Sequence, residues 1–215
     1  KNQFQPLNLT LKKKTNYSIS GPSGIGKSSI LNYLSLGRSV IPNRGNLDLF
    51  YEPIYLNYKF SKEINNVDVI TMGQSSRFRS GYLYNVLCEY LIKLGILDKY
   101  SLARDSSIKA LVEECLYILN IDFIKNKNSN PYLDFSKLSG GQIQRICIAR
   151  SLISALFLDP KILIWDEPFS SLDKLLALKI FNNIMKSRYD FSLIMVSHLP
   201  LESEFDNFYE IKLIK

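Results

Sequence analysis

Apolar and polar positions along the chain follow two alternating rhythms. Short runs rich in apolar and β-branched residues predict strands: "NYSIS" (16–20), "NLDLF" (46–50), "VDVITM" (67–72), "KILIW" (161–165), "FSLIMVS" (191–197) and "FYEIKLI" (208–214). Longer segments with apolar residues three or four apart predict helices at 27–36, about 84–94, about 107–119, 140–157 and 172–187. Strands alternating with helices imply an α/β fold, a mostly parallel sheet covered on both faces. From about 76 to 137 the rhythm changes. Helical segments follow one another with no strand predicted between them, and the polar patch "KNKNSNP" (125–131) closes the stretch. This predicts a helical subdomain inserted into the α/β core.

Composition narrows the picture only a little. The chain has 215 residues, 46% of them hydrophobic, enough for a substantial buried interior. No apolar run approaches the roughly 18 to 20 residues that span a bilayer, and the interspersed start "KNQFQPLNLTLKKKTN" is unlike a secretory signal, so the chain itself is expected to be soluble. Cys88, Cys115 and Cys147 are too few and scattered for a disulfide framework or a zinc cluster, and reduced core thiols are expected. The net charge of +7 is spread along the chain, with "KKK" (12–14) the only dense run, so it reads as a solvated face and no nucleic-acid partner is expected. The first residue is Lys1, compatible with processing or with a piece of a longer polypeptide.

The chemistry begins at "GPSGIGKSS", Gly21, Pro22, Ser23, Gly24, Ile25, Gly26, Lys27, Ser28 and Ser29. Its spacing fits a phosphate-binding P-loop, and it lies between a predicted strand and a predicted helix, the context such a loop needs. Glycines let successive backbone N–H groups point at phosphate oxygens, and the helix start adds its positive dipole end. Lys27 would reach the β- and γ-phosphates, and the Ser28 hydroxyl would ligate Mg²⁺. On its own, the stretch could also be an ordinary glycine turn.

Two further stretches answer to the first. "KILIWDEP" (161–168) is a buried-type strand ending in two carboxylates, and ligands of parallel sheets bind at that end of the strands. Asp166 would face the Mg²⁺ shell, while Glu167 would orient or deprotonate a water beside the γ-phosphate. In "KLSGGQIQRICIARSL" (137–152), Ser139, Gly140 and Gly141 open an amphipathic helix and make a second helix start suited to an anion. Two such starts are hard to use on one nucleotide, but make sense if the second serves a nucleotide held by another copy.

With "LSGGQ" (138–142) beside the P-loop and "ILIWDEP", the chain resembles the ATP-binding-cassette (ABC) transporter ATPases, and the resemblance covers nearly its whole length. It implies a RecA-like P-loop core with a partial N-terminal antiparallel β region: 1–75 carrying the β region and P-loop, 76–137 the helical subdomain, and 138–215 the signature helix and the rest of the core. Gln74 resembles the Q-loop glutamine, a Mg²⁺ ligand at the joint of core and helical part. "SSLD" (170–173) resembles the D-loop, and His198 the switch histidine that contacts the γ-phosphate. The resemblance implies ATP and Mg²⁺ as ligands and a head-to-tail dimer with a second nucleotide-binding domain. Each ATP would then lie between Lys27, Ser28, Gln74, Asp166, Glu167 and His198 of one chain and Ser139, Gly141 and Gln142 of the other.

It also implies transmembrane domains, expected upstream in the same polypeptide, and a place on the cytoplasmic face of a membrane. "SRFRSGYLYNVL" (76–87), with Gly81 and Asn85, is similar to the segment of exporter-type cassettes that meets the membrane domain, which singles out Phe78, Arg79 and Tyr82. An exporter motor is therefore the expected function. The alternatives are an importer ATPase subunit or a soluble relative acting on ribosomes or DNA. The chain departs from the family pattern in having Ser29 where threonine is usual, and in offering only Phe4 as a poor match for the adenine-stacking aromatic, which is expected upstream of Lys1.

Overall fold

The computed structural model describes residues 14–36, 69–72, 79–100, 102–124, 131–160, 162–187, 189–198 and 207–213. Five strands form the main sheet: β1 (Asn16–Ser20), β2 (Val69–Met72), β5 (Ile162–Asp166), β6 (Ser192–Val196) and β7 (Phe208–Lys212). Their order is β2-β5-β6-β1-β7, and every pairing is parallel. Side chains on a strand alternate between faces, and on the central strands β5 and β6 both faces are apolar. Ile162 and Ile164 join Tyr17, Ile19, Ile194 and Val196 beneath Ile30, Leu31 and Leu34 of helix α1 (Lys27–Leu36). Leu163 and Trp165 turn the other way, into a cluster with Ile70, Met72, Leu193 and Met195 and the remaining helices. The sheet is thus covered on both sides.

The expected helix at 84–94 is two short helices, α2 (Leu83–Leu87) and α3 (Glu89–Lys93). Cys88, at ψ 13°, breaks the regular geometry between them, although hydrogen bonds still run through the junction from Cys88 N–H to Tyr84 O and from Ile92 N–H to Cys88 O. Helix α4 (Ser106–Ile118) is capped by Asp105, whose carboxylate accepts from the N–H groups of Ser107 and Ile108. The expectation of no strand in this region is corrected. β3 (Gly81–Tyr82) and β4 (Tyr132–Leu133) form a two-stranded antiparallel sheet, each strand too short to show an apolar period. The antiparallel region expected at the N-terminus, Phe4 included, lies outside the described residues.

Helix α5 (Gly140–Leu158) runs through the middle of the molecule, and from Ile146 to Ala155 nearly all of it is buried. It separates α4 from the sheet and touches both, so the apolar packing is continuous from Met72 and Trp165 to Leu91 and Val112. Polar ties hold the turn after α4: Arg145 of α5 donates to Asn120 O at 2.6 Å, and Asn183 donates to Ile118 O at 2.9 Å. Arg150 of α5 pairs with Glu89 of α3. Asn183 belongs to helix α6 (Lys174–Lys186), which begins two residues later than its apolar pattern predicts because Asp173 accepts from Leu176 N–H and acts as its N-cap.

Candidate ATP site

The strand register brings the expected residues to one edge. Asp166 of β5 lies opposite Val196 of β6, and Val196 lies opposite Ile19 of β1. Three chain segments therefore leave the sheet side by side, at the carboxyl ends of parallel strands: the loop from Gly21, the pair Asp166–Glu167 and the segment Ser197–His198. Gly24 and Gly26 stand at φ +76° and +102°, which only glycine adopts freely, and they turn the loop into the first turn of α1. Ser28 and Ser29 are exposed at that helix start. Lys27 is buried, and its ammonium donates to the carbonyls of Gly21 at 2.8 Å and Pro22 at 3.1 Å, so the loop holds its own lysine.

Glu167 is in the left-handed region (φ +53°), an uncommon conformation for a residue with a side chain. Its N–H donates to Val196 O at 3.1 Å, and its carboxylate meets His198 Nε2 at 3.0 Å, where the glutamate side chain is 12% exposed and the histidine 62%. Burial pushes the Glu167 carboxyl above the ordinary glutamate range; His198 opposes the shift, Asp166 adds to it and Lys27 opposes it. A carboxylate that holds its proton more tightly than an ordinary glutamate, bonded to a histidine, is suited to accepting a proton from water.

Asp166 Oδ1 is buried and accepts no hydrogen bond from the described residues. An acceptor oxygen without a partner is costly unless something charged completes it, and a hard divalent cation does so with oxygen ligands. Among the described residues no three His, Cys, Asp or Glu side chains form a group that could hold a metal ion by themselves. A cation here would therefore draw on Asp166, a hydroxyl and the oxygens of its substrate, the manner of Mg²⁺ on a phosphate chain. Met72 ends β2 opposite Trp165, but Gln74 and Phe78 lie outside the described residues.

The second helix start is a closed capping box. Ser139 Oγ accepts from Gln142 N–H, and Gln142 Oε1 accepts from Ser139 N–H at 2.9 Å. Ser139 and Gly140 are exposed. A Cβ on Gly141 would meet Ser171 O at 3.0 Å and Leu172 Cδ2 at 3.1 Å, so glycine lets the loop after Glu167 lie directly on the helix start. One residue of this region is not among those expected from the sequence. Gln144 spans from α5 to that loop, donating to Glu167 O at 2.8 Å and Ser170 Oγ at 3.1 Å while accepting from Ser171 N–H. Its only sequence signal is a polar residue two positions before the buried run that starts at Ile146.

Comparison with known proteins places these features in context. The family model described as ABC transporter matches residues 4–170. The phosphate import ATP-binding protein PstB of Mycoplasma mycoides is 31% identical over 199 residues, covering 89% of this chain and 78% of its own length. That of Malacoplasma penetrans is 32% identical over 210 residues, covering 95% of this chain and 67% of its own. A bacterial Atm1-family ABC exporter solved with ATP bound has the same fold, with a TM-score of 0.62 at 22% identity. The alignment covers 94% of this chain and about a third of that one, 34%.

Proposed function

Because the chain belongs to the ABC transporter family, as an ATP-binding ATPase domain, we propose that it is one half of a two-cassette engine driving transport through a membrane partner, on the cytoplasmic face. The observation that carries this reading is the gathering at the carboxyl ends of β1, β5 and β6 of Lys27, the Asp166 oxygen that has no partner among the described residues, and the pairing of the largely buried Glu167 carboxylate with the exposed His198. Lys27 exchanges its loop carbonyls for phosphate oxygens of ATP, and the loop N–H groups bind the rest of the phosphate chain. Ser28 and Asp166, with Gln74, would hold Mg²⁺, which would supply neutralisation of the charge on the phosphate chain. Glu167 orients the attacking water and takes its proton, and His198 holds that carboxylate in place. Ser139, Gly141 and Gln142 meet the nucleotide of the partner cassette. Catalysis then rests on positioning and charge rather than covalent chemistry.

Glu167→Gln keeps the side chain's shape and removes the base. In the assembled transporter, ATP turnover should fall by roughly 10²- to 10⁴-fold, the usual contribution of a general base, with ATP binding retained. Turnover within a few-fold of wild type would sink the assigned mechanism.

On direction, we favour import over the expected export. The curated relatives quoted above are import ATP-binding proteins, whereas likeness to the exporter at 22% identity speaks for fold alone. Phosphate is their named cargo and the first to try. ATP-dependent uptake of radiolabelled phosphate by cells carrying the assembled system, abolished by Lys27→Ala, would support import. Uptake indifferent to Lys27→Ala would count against it.

A further inference from the structure

We propose that Gln144 is a positioning residue for the reaction: from the signature helix it holds the strained Glu167 loop in its working conformation. This rests on the reading of Glu167 given above. Glu167 stands at φ +53°, a conformation that persists only when its surroundings over-determine it. On its N-terminal side Glu167 N–H is held by Val196 O, a strand-edge bond. On its C-terminal side the Glu167 carbonyl accepts from Ser170 N–H at 3.3 Å, a long bond within a turn, and from Gln144 Nε2 at 2.8 Å.

The Gln144 amide uses both of its ends. Its nitrogen reaches Glu167 O and Ser170 Oγ, and its oxygen accepts from Ser171 N–H. A backbone acceptor on one side and a backbone donor on the other leave a single orientation of the amide that satisfies both. Gln144 thus clamps both ends of the five-residue turn 167–171 to a rigid helix whose following turns are buried. Among the described residues its hydrogen bonds go to Glu167, Ser170 and Ser171 and none to Lys27, Ser28 or Asp166, so its bearing on catalysis runs through the conformation of Glu167 and its loop. A positional error of about 1 Å in a catalytic group can cost up to roughly a hundredfold in rate.

Gln144→Glu tests the clamp with little change in volume, because it replaces the donor facing Glu167 O with an acceptor. Gln144→Met fills the same space without a hydrogen bond and carries the test if Gln144→Glu does not fold. In the full protein assembled with its membrane partner, kcat for ATP should fall about ten- to a hundredfold, with KM and the affinity for a fluorescent ATP analogue within about twofold of wild type. In a Glu167→Gln background the same change should cost nothing further, since the group it positions is already gone. Unchanged kcat, a parallel loss of ATP affinity, or losses that multiply in the double variant would each overturn the role. A wild-type protein that hydrolyses no ATP would overturn the function proposed above, and this role with it.

Discussion

Glu167 combines three properties that no single one of its neighbours accounts for: burial, a left-handed backbone and a histidine at hydrogen-bond distance. Its position after "LIW" and Asp166 is plain in the sequence, and so is the reason for a carboxylate at a strand end. Its backbone conformation is not, because it arises from Val196 on one side and Gln144 on the other, partners distant along the chain. The raised pKa also ties the stability of the fold to pH. Burial disfavours the charged form, so the folded protein holds this proton more tightly than the unfolded chain does. The contribution of Glu167 to stability should therefore decline as pH rises through the window just above the ordinary glutamate value of about 4.3. Thermal melts of wild type and Glu167→Gln across that window should converge at its acid end and separate at its alkaline end, with the variant the more stable. Across the same window, turnover should rise with pH as the base is freed, with its acid limb displaced above an ordinary carboxylate.

At the scale of elements, periodicity succeeds where a segment is long and one physical cause dominates. Helix α1 has the bounds its pattern predicts, and β1 likewise, because apolar spacing and the neighbouring glycines point the same way. It fails where local chemistry outranks the pattern. Asp173 caps α6 and leaves the apolar Leu172 outside it, while β3 and β4 owe their pairing to each other rather than to any period of their own. The signature glycines also acquire a second meaning. "SGG" reads as an anion-binding helix start, but Gly141 is equally the place where the loop after Glu167 rests on that helix, with backbone oxygen and leucine methyl at 3.0 and 3.1 Å from a would-be Cβ. Gly141→Ala should therefore lower stability by about 1 kcal/mol, an overpacking cost partly offset by alanine's helix propensity. For a chain of this size that is a fall in Tm of about 2–4 °C, measurable by calorimetry. An unchanged or higher Tm would mean that the loop moves aside freely.

For the whole molecule, alternating strands and helices are enough to predict a parallel sheet covered on both faces, since apolar side chains on both faces of "ILIW" leave no face for water. The order β2-β5-β6-β1-β7 is not readable in the same way. Strand order is decided by crossover connections and by which faces the helices cover, and periodicity within a segment is silent on both. The assembly is legible only through the pairing of motifs: a P-loop and a second anion-suited helix start in one domain imply a second copy. If ATP lies between two such domains, the Glu167→Gln variant should elute as a pair of cassettes with ATP and singly without it in size-exclusion chromatography. Identical elution in both conditions would argue against a shared site.

The grip of Gly21 and Pro22 on the Lys27 ammonium makes nucleotide capture a swap rather than an addition. The lysine must let go of two neutral carbonyls before it can bond to phosphate oxygens, so their loss offsets part of the charge-assisted bonds gained. Discrimination is sharpened for the same reason. A ligand without phosphate oxygens, such as a free nucleoside, would offer the ammonium nothing in exchange and leave it on those carbonyls.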